Sequence, residues 1–340
     1  MTQQDVRKRM RGATVVIIAA LALAGCSAPS ESSGETPAAV GAAFPVSVTH
    51  GQGTVTINAK PERVVVLGSA DAQIASALDL PIVGAVSNPS SEDGNWPGIA
   101  SPLPAEVTVL DSVEPNLEQI AQMNPDLILA TTSQPSYTEL YKQLSEIAPV
   151  ISYKTTPLQD SGEDLVALIG EASGESEAAA ALIAESDEAI EAFAAEFPQL
   201  EGAGYVFGQY AGGVTYLIVS PTALSVQFMN RLGLVVPERV GALWDEKDTS
   251  YAASVGMITP SNEQLDLLDS ADIAFISAYG DGAAEEFTSI PLVSSLKLLS
   301  AERLNLIGQD LAAPLLQPNP ATTTYVLEQL RPYFETFAQN

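Results

Sequence analysis

Two stretches of this chain repeat one pattern. NLEQIAQMNPDLILAT begins at Asn116 and NEQLDLLDSADIAFIS at Asn262. Each opens on Asn and Glu, continues with a short helix-like run and an Asp, and ends in an apolar strand-like run. Matching Glu118 to Glu263 sets the copies 145 residues apart. Solenoid repeats recur every roughly 20–50 residues. A single repeat at this distance implies two similar lobes.

The segments around the repeat alternate strand with helix. RVVVLG, PIVGAVS, VTVLD, DLILAT and PVISY read as strands, with helices such as ADAQIASALDL and PSYTELYKQLSEIA between them. Such alternation gives a mostly parallel sheet covered by helices. Residues 163–197 break the pattern. They carry little strand signal, a break at Gly174, and Leu182, Ile183, Ile190 and Phe193 at helical spacing. A helix over 175–196 is a rod of about 33 Å, a strut between two α/β halves. Strand signals resume in GYVFGQY, VTYLIVS and LNLIGQD, and ATTTYVLEQLRPYFETFAQ closes the chain as a helix. The expected organisation is a first lobe over 44–160, a helical bridge over 161–200 and a second lobe over 201–340. Before the first lobe's sheet, FPVSVTH and TVTINA read as a hairpin, with His50 expected as a solvated turn residue.

The N-terminus is an address. Residues 1–25 join a basic segment, VRKRMR, to the apolar run ATVVIIAALALAG, too short to span a bilayer. This is a secretory signal. It ends in Leu23-Ala24-Gly25-Cys26, which looks like a bacterial lipobox, whose cysteine takes a diacylglyceryl anchor. Ala22-Leu23-Ala24 also fits ordinary secretory cleavage. Residues 26–43, rich in Ser, Pro, Gly and Ala, read as a flexible tether.

Charge and absences remove several functions. The formal net charge is −28; residues 1–25 hold four cations and one acid, leaving −31 and ten Lys or Arg for the rest. Such a body repels nucleic acid. One cysteine excludes an internal disulfide, and one histidine excludes His-rich zinc or copper sites and weakens a Ser-His-Asp reading. No G-x-S-x-G or P-loop is present. Gly280-x-Gly282 starts a dinucleotide pattern, but Glu285 stands where a third small residue belongs. No catalytic residue, cofactor or resident metal is expected.

The ordered pieces AKPERVVVLGSADAQIASAL, NPDLILAT, LSEIAPVISY, FMNRLGLVVP, NEQLDLLDSADIAFI and ATTTYVLEQLRPY resemble the substrate-binding lipoproteins of iron-siderophore and cobalamin ABC importers. The resemblance covers nearly all of residues 44–335. It implies two Rossmann-like α/β lobes, a rigid bridging helix, a ligand cleft between the lobes, and a monomer lipid-anchored to the cell membrane. It also implies an ABC permease and its ATPase as partners, with Glu118 and Glu263 each offered to an arginine cluster of the permease.

Ligands of open α/β sheets bind beyond the strand ends. The cleft candidates are therefore Trp96 and Tyr137 in the first lobe and Arg231, Trp244, Tyr251 and Tyr279 in the second. The expectation is that Trp96 and Trp244 flank a ferric siderophore, with Arg231 directed at its iron-bound oxygens. A body this acidic suits a ferric hydroxamate, near neutral or singly positive, better than a strongly anionic ferric catecholate. Cobalamin and haem stay as alternatives.

Overall fold

The structure is a computed structural model describing residues 44–248 and 250–339, without the side chains of Tyr251 and Ser254. The signal, the tether and Cys26 lie outside the described residues.

Two five-stranded sheets organise the molecule. The first comprises β3 (Val64–Val66), β4 (Ile82–Val86), β5 (Thr108–Leu110), β6 (Leu127–Ala130) and β7 (Val150–Ser152), after a hairpin of β1 (Val46–His50) and β2 (Gly53–Ile57). Its order is β5-β4-β3-β6-β7 and every pair is parallel. The second comprises β8 (Tyr205–Ala211), β9 (Val214–Ile218), β10 (Met257–Ile258), β11 (Ile273–Tyr279) and β12 (Leu304–Ile307) in the order β10-β9-β8-β11-β12. In both, the lobe's first strand is central, its two successors lie to one side and the last two to the other. The second sheet is mixed, because β9 runs antiparallel to both β8 and β10.

The central strands are apolar on both faces, as strands covered on both sides must be. In β3, Val64 and Val66 enter one core and Val65 the other. In β8, Tyr205 and Phe207 face one core and Val206 the opposite one. Helices cover both faces of each sheet, giving two three-layered α/β lobes.

The repeated phrase fills the same slot in each lobe, a short helix leading into the fourth strand. Asn116 caps its helix by accepting from the Gln119 main-chain N–H at 3.0 Å. Ser261 forms the equivalent cap with Gln264 as a capping box. The Asp of each phrase is a staple. Asp126 accepts from the N–H groups of Glu62 (2.8 Å) and Arg63 (2.9 Å), at the foot of β3. Asp272 accepts from Gly204 N–H (2.7 Å), at the foot of β8. Each carboxylate fixes the start of the fourth strand beside the start of the first.

The bridge is a helix over Gly162–Ser173, closed by Gly174 in the left-handed conformation (φ 78°), then one over Ser176–Glu196. The latter's 21 residues span about 31 Å. Ala179, near its start, lies in a core of the first lobe, while Ile190 and Phe193 lie in a core of the second. Along its middle, Ser186 shares a buried 2.7 Å hydrogen bond with Thr323 of the C-terminal helix Thr323–Gln339.

His50 corrects the expectation of a solvated turn. The Gly51 N–H donates to Tyr153 O at 2.7 Å, so the hairpin tip is pinned beside the end of β7. His50 is 4% exposed, edge-on to the Tyr141 ring at 5.6 Å, and burial lowers its pKa.

Candidate ligand-binding cleft

A cavity of about 620 Å³ opens between the lobes, within the usual range for small-molecule sites. On the first-lobe side it lies beyond the carboxyl ends of β3, β4 and β6. The chain leaves β3 toward the helix Ser69–Ala77 and β4, while β6 lies on the other side of β3. This is the switch point at which open α/β sheets bind ligands. Leu67, Gly68 and Ser69 line the cavity after β3, and Thr132 and Gln134 after β6.

The switch point is clasped from beneath. Asp71, fully buried in the first turn of the helix Ser69–Ala77, accepts from Thr131 Oγ1 (2.5 Å), Thr131 N–H (3.1 Å) and Thr132 N–H (3.3 Å). Burial raises its pKa to about 6 against the opposing pull of those donors. Gly68 is required where it stands. A Cβ there would lie 2.3 Å from Thr132 Oγ1 and 2.6 Å from the Thr132 carbonyl carbon.

On the second-lobe side strand residues join loop and helix residues in the wall. Gln209 of β8, Tyr216 and Ile218 of β9 and Met257 of β10 face the cavity. Leu224 and Ser225, opening the helix Leu224–Arg231, Gln317, after the helix Gln309–Leu316, and loop residues such as Ser220 and Thr222 also line it. Among the described residues no Asp, Glu, Lys, Arg or His lines the cavity. Its polar character comes from hydroxyls and side-chain amides.

Trp96 and Trp244 both line the cavity, one from each lobe. Trp96 is held by a loop that folds on its own polar side chains. Asn88 Oδ1 accepts from Ser90 N–H (3.0 Å) and Asn95 Oδ1 from Leu103 N–H (3.0 Å). The Trp96 indole N–H donates to Val86 O at 2.9 Å, turning the ring against the end of β4. Trp244 follows the short helix Glu238–Gly241 and packs partly on the adjacent core.

Tyr137, Arg231 and Tyr279 lie elsewhere. Tyr137 is a core residue and not a cleft residue. Pro135 starts a helical turn that carries Tyr137 inward to 0% exposure, with its hydroxyl donated to Asp111 O at 2.5 Å and its pKa pushed up to about 12 by burial. Arg231 does not line the cavity. The helix Leu224–Arg231 meets the cleft with its first residues, and Arg231 is seven residues on, about 10 Å along the axis. Its guanidinium pairs instead with Asp187 of the strut (2.5 Å) and Glu163 (3.3 Å). Tyr279 ends β11 at 56% exposure and is absent from the lining. The side chain of Tyr251 lies outside the described residues, although its neighbours Ala252 and Ala253 line the cavity.

Thr132, Gln134, Gln209 and Tyr216 were not among the sequence candidates. The signal for the first two was the Thr-Thr-Ser-Gln run at the end of the apolar strand DLILA. For Gln209 and Tyr216 the signal was Gly212-Gly213 between two strand-like runs, a hairpin pattern that makes the sheet mixed.

Residues 64–297, from the first residue of β3 into the second lobe, match the family described as periplasmic binding protein. The chain belongs to that family. This binding protein is 27% identical over 287 residues to the Fe(3+)-citrate-binding protein YfmC of Bacillus subtilis, covering 84% of each chain. It is 24% identical over 346 residues to the probable siderophore-binding lipoprotein YfiY of the same organism, covering 97% of this chain and 99% of the relative. A periplasmic solute-binding protein from Mycobacterium smegmatis has the same fold, with a TM-score of 0.71 and 24% identity over 86% of this chain and 98% of its own. The family and these relatives are substrate-binding proteins, not enzymes, and the family works outside the cytoplasm.

Proposed function

We propose that this binding protein captures a ferric siderophore of hydroxamate type and delivers it to an ABC importer permease. The observation that carries the reading is the cleft lining. A strongly anionic ferric catecholate, or the anionic ferric citrate, calls for cations to offset its charge on leaving water. This cleft offers Trp96, Trp244 and Tyr216 as apolar faces and Ser, Thr and Gln as hydrogen-bonding groups. That set suits a chelate whose iron charge is already neutralised by its own oxygens. The relatives' names, ferric citrate and siderophore, support iron chelates as the class.

The test is titration with a ferric trihydroxamate, a ferric tris-catecholate, ferric citrate, haem and cobalamin, followed by tryptophan fluorescence. Saturable quenching by the trihydroxamate at the lowest concentration is expected. Tighter binding of the catecholate or citrate contradicts the hydroxamate assignment. Tighter binding of cobalamin or haem moves the protein to another branch of the same import class.

Delivery rests on Glu118 and Glu263. Each is the second residue of its capped helix, exposed, in the same slot of its lobe. Such a matched pair suits Arg–carboxylate docking onto a permease with two similar halves. Changing both to Ala is expected to abolish import while leaving ligand affinity unchanged; unchanged import rejects the assignment. The anchor rests on Leu23-Ala24-Gly25-Cys26 and on a relative named as a lipoprotein. Cys26→Ser is expected to release the protein from the membrane fraction or stall its maturation. A normally matured, membrane-bound variant contradicts the anchor.

A further inference from the structure

The cleft has no charged lining residue among those described, but a charge sits one residue behind its wall. Gly68 and Thr132 line the cavity. A Cβ on Gly68 would come within 2.6 Å of Asp71 Oδ2, and the Thr132 N–H donates to that same oxygen. One glycine therefore separates the carboxylate from the ligand space. Asp71 is fully buried, and among the described residues no Lys, Arg or His forms an ion pair with it. Its donors, two main-chain N–H groups and one hydroxyl, are all neutral. The amino end of the helix Ser69–Ala77 opposes it with about half a positive charge. An ionised Asp71 outweighs that half charge and leaves this part of the wall negative.

We propose that Asp71 is a specificity-determining residue whose buried carboxylate, acting through Gly68, selects singly positive ferric chelates over neutral chelates of the same shape. The inference rests on the ferric-chelate reading above. A ligand in the cleft replaces water between itself and the wall, and the lower effective dielectric strengthens the attraction. Asp71 also has a structural role, since it staples the β6 loop to the helix. Loss of affinity alone therefore does not identify its charge; a ratio between two chelates does. Two sources of preference must also be separated. The acidic surface attracts cations too, but through solvent, where salt screens it.

The probes are a ferric linear trihydroxamate with a pendant ammonium and the same chelate with that amine acetylated. Both are titrated against the full chain at pH 8, where a carboxyl pushed up to about 6 is ionised. The expected result is about tenfold tighter binding of the ammonium chelate. That ratio should survive in about 0.5 M NaCl, where exposed charges are screened within a few ångströms. Asp71→Asn is expected to bring the two affinities within about twofold. Equal affinities in the unaltered protein, a preference that vanishes in salt, or one that persists in a folded Asp71→Asn variant overturns the inference. If Asp71→Asn does not fold, the salt comparison decides. If neither chelate binds, the ferric-chelate reading fails and takes this inference with it; equal binding of both overturns only the role of Asp71.

Discussion

The two lobes share strand order but meet the cleft differently. In the first, every step between neighbouring strands is a parallel crossover, and the cavity is lined by loops at the strand ends. In the second, β8 turns directly into β9 through Gly212 (φ 57°) and Gly213 (φ 80°), with Ala211 opposite Val214. Two adjacent residues with positive φ make the tight turn whose twist matches an antiparallel pair. The sheet becomes mixed, and strand side chains reach the cavity. Strand order follows the slot taken by the repeated helix–strand unit, whereas strand direction follows two glycines.

The largest expected effect is at the first lobe's loop wall. Gly68→Ala forces a methyl into Thr132 and Asp71, and is expected to cost about 3 kcal/mol or more of stability and to remove ligand binding. Denaturant unfolding and titration measure both. A variant near parental stability would mean the clasp yields easily.

Next come the aromatic walls. Trp96→Ala and Trp244→Ala are each expected to weaken ligand binding about thirtyfold, ~2 kcal/mol. Trp96→Ala should also lower stability, because it empties part of two cores and deletes the bond to Val86 O. A stability loss at Trp244 larger than at Trp96 would reverse this contrast between the lobes.

The hairpin is a smaller lever. Gly212→Ala and Gly213→Ala each place a methyl on a residue with positive φ, at a cost of about 1 kcal/mol. No Cβ contact occurs at Gly212, so strain alone is measured there. Gly212→Asn should recover part of the loss, since Asn tolerates that conformation; no recovery would point to something other than strain.

Arg231→Ala is expected to do least. Its pairs with Asp187 and Glu163 are exposed, and such pairs contribute at most about 1 kcal/mol. Ligand affinity should stay within about twofold. A larger loss, measured by titration, would return Arg231 to the cleft.

Much of this architecture was legible as pattern. Apolar runs marked the strands, the helical spacing of Ile190 and Phe193 marked the strut, and Gly174 marked its break. The repeated phrase revealed two lobes, although its Asp gave no hint that Asp126 and Asp272 staple main-chain N–H groups 62–63 and 204. The site was only partly legible. Trp96 and Trp244 stand out in sequence because loop aromatics are conspicuous, and both line the cavity. Tyr137 and Arg231 misled because residue type does not report side-chain direction. A turn begun at Pro135 points Tyr137 into the core, and seven helical residues carry Arg231 away from the cavity. His50 misled for a related reason, since a hairpin tip is exposed only if nothing covers it. The Gln and Thr side chains of the cleft are too common in sequence to stand out.

The central claim is that both lobes close on one ferric hydroxamate. The chain has only two tryptophans, one on each wall of the cleft. The most direct measurement therefore uses Trp96→Phe and Trp244→Phe, each leaving a single reporter, titrated with a ferric trihydroxamate. Both remaining tryptophans are predicted to be quenched saturably by the same chelate. Quenching of one with silence of the other would contradict a ligand held between the lobes.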